Sequence, residues 1–197
     1  VRRIERAVDA GQKIVVYGDY DVDGLSGSTI LQRALLALGA NAEVFIPHRD
    51  RDGYGLNSDV LTVLSEQSAG LVITVDCGAA AEGPLNAAAE MGLDVVVLDH
   101  HLMAGPPPKA RAVVNPNRLD DTSGHGALTA AGVVLVTMAA INREARRRGS
   151  PGSNHLPDII QMLDLAAIGT VCDVAPLTGF NRAIVSQGLK ILRNGKN

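Results

Sequence analysis

Three separated apolar runs of this chain end in the same way, and that repetition constrains its fold more than any other feature. IVVYGD (14–19), LVITVD (71–76) and VVVLDHH (95–101) are rich in Val and Ile, and each closes on aspartate, the last followed by two histidines. Short runs without polar alternation read as strands buried on both faces. Between them lie helical patterns, from Ser26 to Leu38, over 58–67 and over 79–91. Strands alternating with helices build βαβ units, so the expected class is α/β, with a mainly parallel sheet flanked by helices. An open sheet of that kind binds ligands outside the carboxyl ends of its strands. Asp19, Asp76, Asp99, His100 and His101, distant in the chain, are therefore expected at one edge.

The remaining pattern fills in the frame. EVFIP (43–47) reads as another strand and is followed by a charged, glycine-bearing loop, HRDRDGYGLN (48–57). A proline-rich loop, MAGPPPKA (103–110), precedes a last strand over 112–117. Helices are expected roughly over 127–148, 156–170 and 180–193, which makes the C-terminal part helical. REARRRG (143–149) closes the first of these with a basic turn that complements the helix dipole, the ordinary behaviour of a solvated helix end.

With 197 residues, the chain fits one large domain or two small ones, and 46% hydrophobic content supports a packed core rather than disorder. The chain opens on Val1 within a helical pattern and stops at NGKN, so residues 1–197 are expected to be one catalytic domain cut from something longer. Only 3% of residues are aromatic, and there is no Trp, so the core falls to Val, Leu, Ile and Ala. The net charge of −3 lacks the basic excess of most nucleic-acid binders. Acidic residues gathered around cations would no longer count as negative, however, so charge leaves the partner open. Cys77 and Cys172 form no CxxC pair, and there is no secretory signal; a reducing cytoplasm is the default setting. No apolar run is long enough to cross a bilayer.

A fourth acidic position, Asp173 in IGTVCDVAPLTG, follows an apolar helical stretch. Carboxylates clustered from four segments repel one another and are costly to desolvate, and divalent cations relieve both problems. Carboxylates with imidazole and no thiolate suit Mn²⁺ or Mg²⁺ better than structural zinc. An aspartate able to bridge would hold two ions roughly 3.5–4 Å apart, the spacing that serves phosphoryl hydrolysis. Each piece also has a plainer reading. DYDVDG at 19–24 opens like an EF-hand loop, but its twelfth position is Ile30, not Glu, and a strand precedes it. Asp21-Val-Asp-Gly after a strand resembles the start of a haloacid-dehalogenase phosphatase, a reading that leaves Asp19, His100, His101 and Asp173 without work. Taken singly, Asp76 and Asp99 could be turn or cap residues and His100 a structural imidazole. Those plain readings must hold independently at four places, and the constellation weighs against them.

In order, VVYGDYDVDGLSG, FIPHRDRDGYGLN, LVITVDCG, VVVLDHH, AVVNPNR and IGTVCDVAPLTGFNR resemble the successive motifs of the DHH phosphoesterase superfamily, and within it the RecJ exonucleases, over almost the whole chain. The resemblance implies a two-metal phosphodiesterase using Mn²⁺ or Mg²⁺, two ions per site. It further implies a 5′→3′ exonuclease on single-stranded DNA, releasing mononucleotides in repair and recombination, with a helicase and a single-strand-binding protein as possible further partners. Carried over by position, Asp23, Asp76, His100 and Asp173 hold one ion, and Asp21 and Asp76 are central to the other, with Asp19 beside them. Asp99 orients a neighbour, and His101 touches phosphate or assists proton transfer. Arg49 suits the 5′-phosphate of the strand, the alternative being a surface ion pair with Asp50 or Asp52. Gly53 and Gly55 let the chain turn beside it. Asn115, Arg118 and Arg182 are weaker candidates for substrate binding or domain support.

His48, His125 and His155 read as loop residues, and Cys77 and Cys172 as small buried packing. Tyr17 departs from the pattern, since relatives often carry His there. The DHH-associated and OB-like domains of the family are not visible in this sequence, and the resemblance places much of the DNA grip in them. Two other functions stay open: the same chemistry on short oligonucleotides or cyclic dinucleotides, and a non-catalytic DNA-binding or replication scaffold.

Overall fold

The computed structural model describes residues 1–149 and 156–195. After a short first helix (α1, Arg2–Asp9), the chain alternates β1 (Lys13–Gly18), α2 (Val22–Ala37), β2 (Asn41–Phe45), a single helical turn α3 (Arg49–Asp52), α4 (Ser58–Glu66), β3 (Ala69–Val75), α5 (Glu82–Glu90), β4 (Val95–Leu98) and β5 (Ala112–Val114). The helical part follows as α6 (Ala130–Arg148), a 3₁₀ turn (Ile159–Met162), α7 (Leu163–Cys172) and α8 (Gly179–Arg193). All strand pairs are parallel, in the order β2-β1-β3-β4-β5. The α/β class and the helical C-terminal part are as the pattern predicts.

Both sheet faces are covered, which is why the strands carry no polar alternation. Ile14, Val16, Leu71, Ile73, Val96 and Leu98 pack with α1, α2, α6 and α7 in one core. Val15, Tyr17, Val72, Val95 and Val97 face α4 and α5 in the other. β2 and β3 lie on opposite sides of β1, so the crossovers leave β1 in opposite directions. The carboxyl ends of β1 and β3 therefore flank a topological switch point, where an open α/β sheet leaves a crevice.

Several boundaries differ from expectation for local reasons. α2 starts at Val22 rather than Ser26, because Asp21 caps it by accepting a hydrogen bond from the Gly24 amide. The acidic segment is thus the first turn of a helix. α5 begins at Glu82, β5 ends at Val114 and α6 begins at Ala130. The expected helix over 156–170 is a 3₁₀ turn followed by α7. Arg146, Arg147 and Arg148 do form the last turn of α6, which ends on a left-handed Gly149 (φ 62°). Cys77 is buried, but Cys172 is exposed, which corrects the buried reading for the second cysteine. His48 and His125 are exposed; His155 lies outside the described residues. Among the described residues, no helix is long and apolar enough to cross a membrane.

Candidate metal centre

Asp19 leaves the end of β1 and is buried, its Oδ1 accepting the Tyr20 amide at 2.8 Å. The chain then turns directly into α2. A side chain at Gly24 would meet the Asp19 carbonyl oxygen at 2.6 Å, so only glycine permits this close return. Asp21 remains exposed at the cap, and Asp23 is buried in the first turn. The Asp23 carboxylate reaches the start of α6, where Oδ2 accepts the Ala130 amide at 2.6 Å and Oδ1 the Ala131 amide at 3.1 Å. The positive end of the α6 dipole thereby stabilises a charge that burial penalises. Burial is the larger influence, and the pKa of Asp23 is raised.

Asp76 follows β3 with φ 65°, a left-handed conformation unusual for a residue with a side chain. Its amide donates to the Leu98 carbonyl at 3.0 Å, fixing it against the end of β4. Immediately after β4, Asp99 organises the histidine pair. Its Oδ1 accepts the His100 amide (2.7 Å), the His101 amide (3.1 Å) and His101 Nδ1 (2.7 Å), while Oδ2 accepts the Ala79 amide at 2.8 Å. Burial alone would raise the Asp99 pKa, but these donors outweigh it and the net shift is downward. His101 responds in the opposite sense: chiefly through the Asp99 bond, its pKa rises to about 9.

Asp173 caps the C-terminal end of α7 and closes the ring. His100 Nε2 stands 3.2 Å from Asp76 Oδ1, 3.9 Å from Asp23 Oδ2 and 4.0 Å from Asp173 Oδ2. Three groups of ligand atoms gather within 4.8 Å of one another: Asp19, Asp21 and Asp76; Asp76, His100 and His101; and Asp23, His100 and Asp173. Asp76 belongs to the first two and touches the third through His100, so it stands at the seam between two clusters. Although His100 is close, it is not aligned to donate, and the buried Asp76 Oδ1 has no hydrogen-bond partner among the described residues. Burial, with the charges of Asp23 and Asp21, pushes the Asp76 pKa up to about 7, while the neighbouring imidazole works against the rise. A buried, unpartnered carboxylate oxygen between two sets of carboxylate and imidazole donors is a poor arrangement for an empty core and a suitable one for hard divalent cations.

The N-terminal domain of the DHH family matches residues 13–170, most of the chain. The chain belongs to the DHH family. It is 36% identical over its whole length to the single-stranded-DNA-specific exonuclease RecJ of Dickeya dadantii, covering 34% of that protein. It is 42% identical to the RecJ of Thermus thermophilus, with 94% of this chain and 26% of that protein covered. A crystal structure of exonuclease RecJ bound to manganese superposes with a TM-score of 0.82 at 40% identity, covering 96% of this chain and 46% of that one. The chain thus spans about a quarter to a third of the length of these curated relatives.

Within this DHH site, the residues expected from the sequence separate into two groups. Asp19, Asp21, Asp23, Asp76, His100, His101 and Asp173 converge as ligand atoms, and Asp99 sits behind them. Arg49 is exposed with its guanidinium 5.6 Å from the Tyr20 ring centre, while Asp52 pairs with Arg51 instead. Gly53 and Gly55 have φ of 81° and 76°, the sharp turns expected of that loop. Asn115 is buried with both ends engaged, donating to the His101 carbonyl at 2.9 Å and accepting the Asn117 amide at 2.7 Å. It supports the histidine loop. Arg118 is paired with Asp120 and donates to the Val113 carbonyl, leaving it at the flank of the last strand. Arg182 is exposed on the first turn of α8.

The sequence reading missed Asn117, whose Nδ2 donates to the His100 carbonyl at 2.5 Å and to the Gly126 carbonyl at 3.0 Å. It also missed the amides of α6 that hold Asp23, and Tyr54, whose ring stands edge-on to Tyr20 at 6.2 Å. The NPN triplet offered a turn signal for Asn117. Nothing local to residue 23 announced α6.

Proposed function

We propose that this chain is the catalytic DHH part of a two-cation phosphodiesterase that removes nucleotides from the 5′ end of single-stranded DNA. One observation carries the reading: the buried Asp76 carboxylate has an unpartnered oxygen at the seam of two ligand clusters. Asp23, Asp76, His100 and Asp173 would hold one ion, with Asp76, Asp21 and Asp19 around the other. Mn²⁺ or Mg²⁺ fits these donors, and the similar RecJ crystallised with manganese supports that choice. When bound, the ions supply an activated water and neutralise charge on the phosphate.

The chain's own residues do the rest. Asp99 fixes the His101 ring through Nδ1, so Nε2 is the nitrogen left for other contacts. Its Asp99 partner favours the protonated imidazole, which would pair with a phosphate oxygen or protonate a leaving oxygen. Arg49, exposed beside Tyr20, would pair with a terminal phosphate.

In the complete gene product, Asp76→Ala is expected to abolish Mn²⁺-dependent cleavage of a 5′-phosphorylated single strand while circular dichroism stays unchanged. Near-normal turnover would refute the bridging role. Comparing the long strand with a dinucleotide substrate separates this reading from a short-oligonucleotide hydrolase.

A further inference from the structure

Tyr17 lies on β1 just before the carboxylate cluster, yet its hydroxyl turns to the 48–57 loop. It is fully buried beneath the 48–57 loop, its ring 5.4 Å from that of Phe45, and its hydroxyl donates to the Gly55 carbonyl at 2.9 Å.

The side-chain hydrogen bonds of the loop above it are mainly internal, while Leu56 packs into the same core as Tyr17. The His48 amide donates to Asp52 Oδ2 at 2.8 Å, Arg51 pairs with Asp52, and Asn57 Nδ2 donates to the Asp52 carbonyl at 2.8 Å. Among the described residues, the other side-chain hydrogen bonds of residues 48–57 stay within the loop or reach the first turn of α4. Tyr17 thus gives this internally braced unit its polar tie to the sheet, and it does so two residues before Asp19, which follows the same strand. The loop carries Arg49 and Tyr54, and Tyr20 meets both.

We infer that Tyr17 is a positioning residue: its hydroxyl holds the Arg49 loop at a fixed offset from the carboxylate cluster, and so sets the preference for a 5′-phosphorylated strand end. The inference rests on the phosphodiesterase reading and on Arg49 as the phosphate contact. One lost neutral hydrogen bond predicts a modest effect confined to end recognition.

The test uses the complete gene product, with Mn²⁺, on single strands bearing either a 5′-phosphate or a 5′-hydroxyl. Tyr17→Phe keeps the ring and removes only the donor. It is expected to raise KM for the phosphorylated strand roughly five-fold, with kcat and the KM for the hydroxyl strand little changed. Hydrogen exchange should quicken at amides 49–56 and not in β1 or β3, and Mn²⁺ affinity by calorimetry should hold. Unchanged KM with unchanged loop exchange overturns the inference, as does a fall in Mn²⁺ affinity without loop loosening, which would assign Tyr17 to the metal centre. If Arg49→Ala abolishes the phosphate preference while Tyr17→Phe leaves it intact, the latch alone fails. If the unmodified protein treats both strands alike, Arg49 recognition fails, and the exchange measurement still decides whether Tyr17 holds the loop.

Discussion

Replacing Asp76 with asparagine is expected to make the metal-free protein more stable at alkaline pH while removing its response to manganese. Asp76 is buried, and its pKa is raised from 3.8 to about 7. A carboxyl held protonated longer in the native than in the unfolded chain contributes stability that is fully present below pH 4 and lost as pH rises through about 7. At ~1.4 kcal/mol per pH unit, that gap sets a ceiling of ~4 kcal/mol. Between pH 5 and 8, the carboxylates with lowered pKa have finished titrating. The two pH units from 5 to about 7 sample ~3 kcal/mol of that ceiling. His100, whose raised pKa reflects Asp76 working against its own burial, shifts stability in the same sense. Urea unfolding in a chelator at pH 5 and pH 8 should show this decline in the unmodified protein and a flatter one in Asp76→Asn. Adding Mn²⁺ at a hundred times its Kd should restore ~2.7 kcal/mol to the former and nothing to the latter. A metal-free protein as stable at pH 8 as at pH 5, or equal slopes for the two proteins, would refute the account of a strained, proton-holding bridge.

Other substitutions probe the supports of the site. Gly169→Ala places a methyl 2.5 Å from Asp23 Oδ1 and 3.1 Å from Ala131 Cβ, so Asp23 must leave the α6 amides; a stability loss of about 1–3 kcal/mol in thermal unfolding is expected, with Mn²⁺ binding weakened on the order of ten-fold. Asp99→Asn removes the main cause of the raised His101 pKa, which should fall from about 9 toward its ordinary value of 6.5 when followed by NMR. Asn117→Ala frees the His100 and Gly126 carbonyls and should cost about 1–3 kcal/mol in urea unfolding, with no recovery in Asn117→Asp, whose carboxylate cannot donate to either carbonyl.

The sheet and its ligand edge were legible because each strand is a local event. Ile14–Tyr17, Leu71–Val75 and Val95–Leu98 cannot sit on a half-solvated sheet, and a parallel sheet sends their terminal aspartates to one side. The helix starts were less legible. Whether Val22 begins a helix depends on the Asp21 cap, which competes with a loop of similar local stability. The substrate-side residues were least legible, since Asn115 and Arg118 look alike in sequence whether they face a ligand or brace a turn. Their partners, the His101 and Val113 carbonyls, are brought to them only by packing.

The sequence by itself determined which residues gather at the ligand edge, because apolar strands ending in acids dictate both the architecture and the edge where the acids meet. Tertiary structure alone decided how those acids are arranged. It turned Asp23 onto the start of α6, left Asp76 with a bare oxygen between two clusters, and sent Tyr17 to the loop instead of the metal centre. Those outcomes depend on distances between segments tens of residues apart, and such distances are set by helix packing and chain crossovers, which no local pattern encodes.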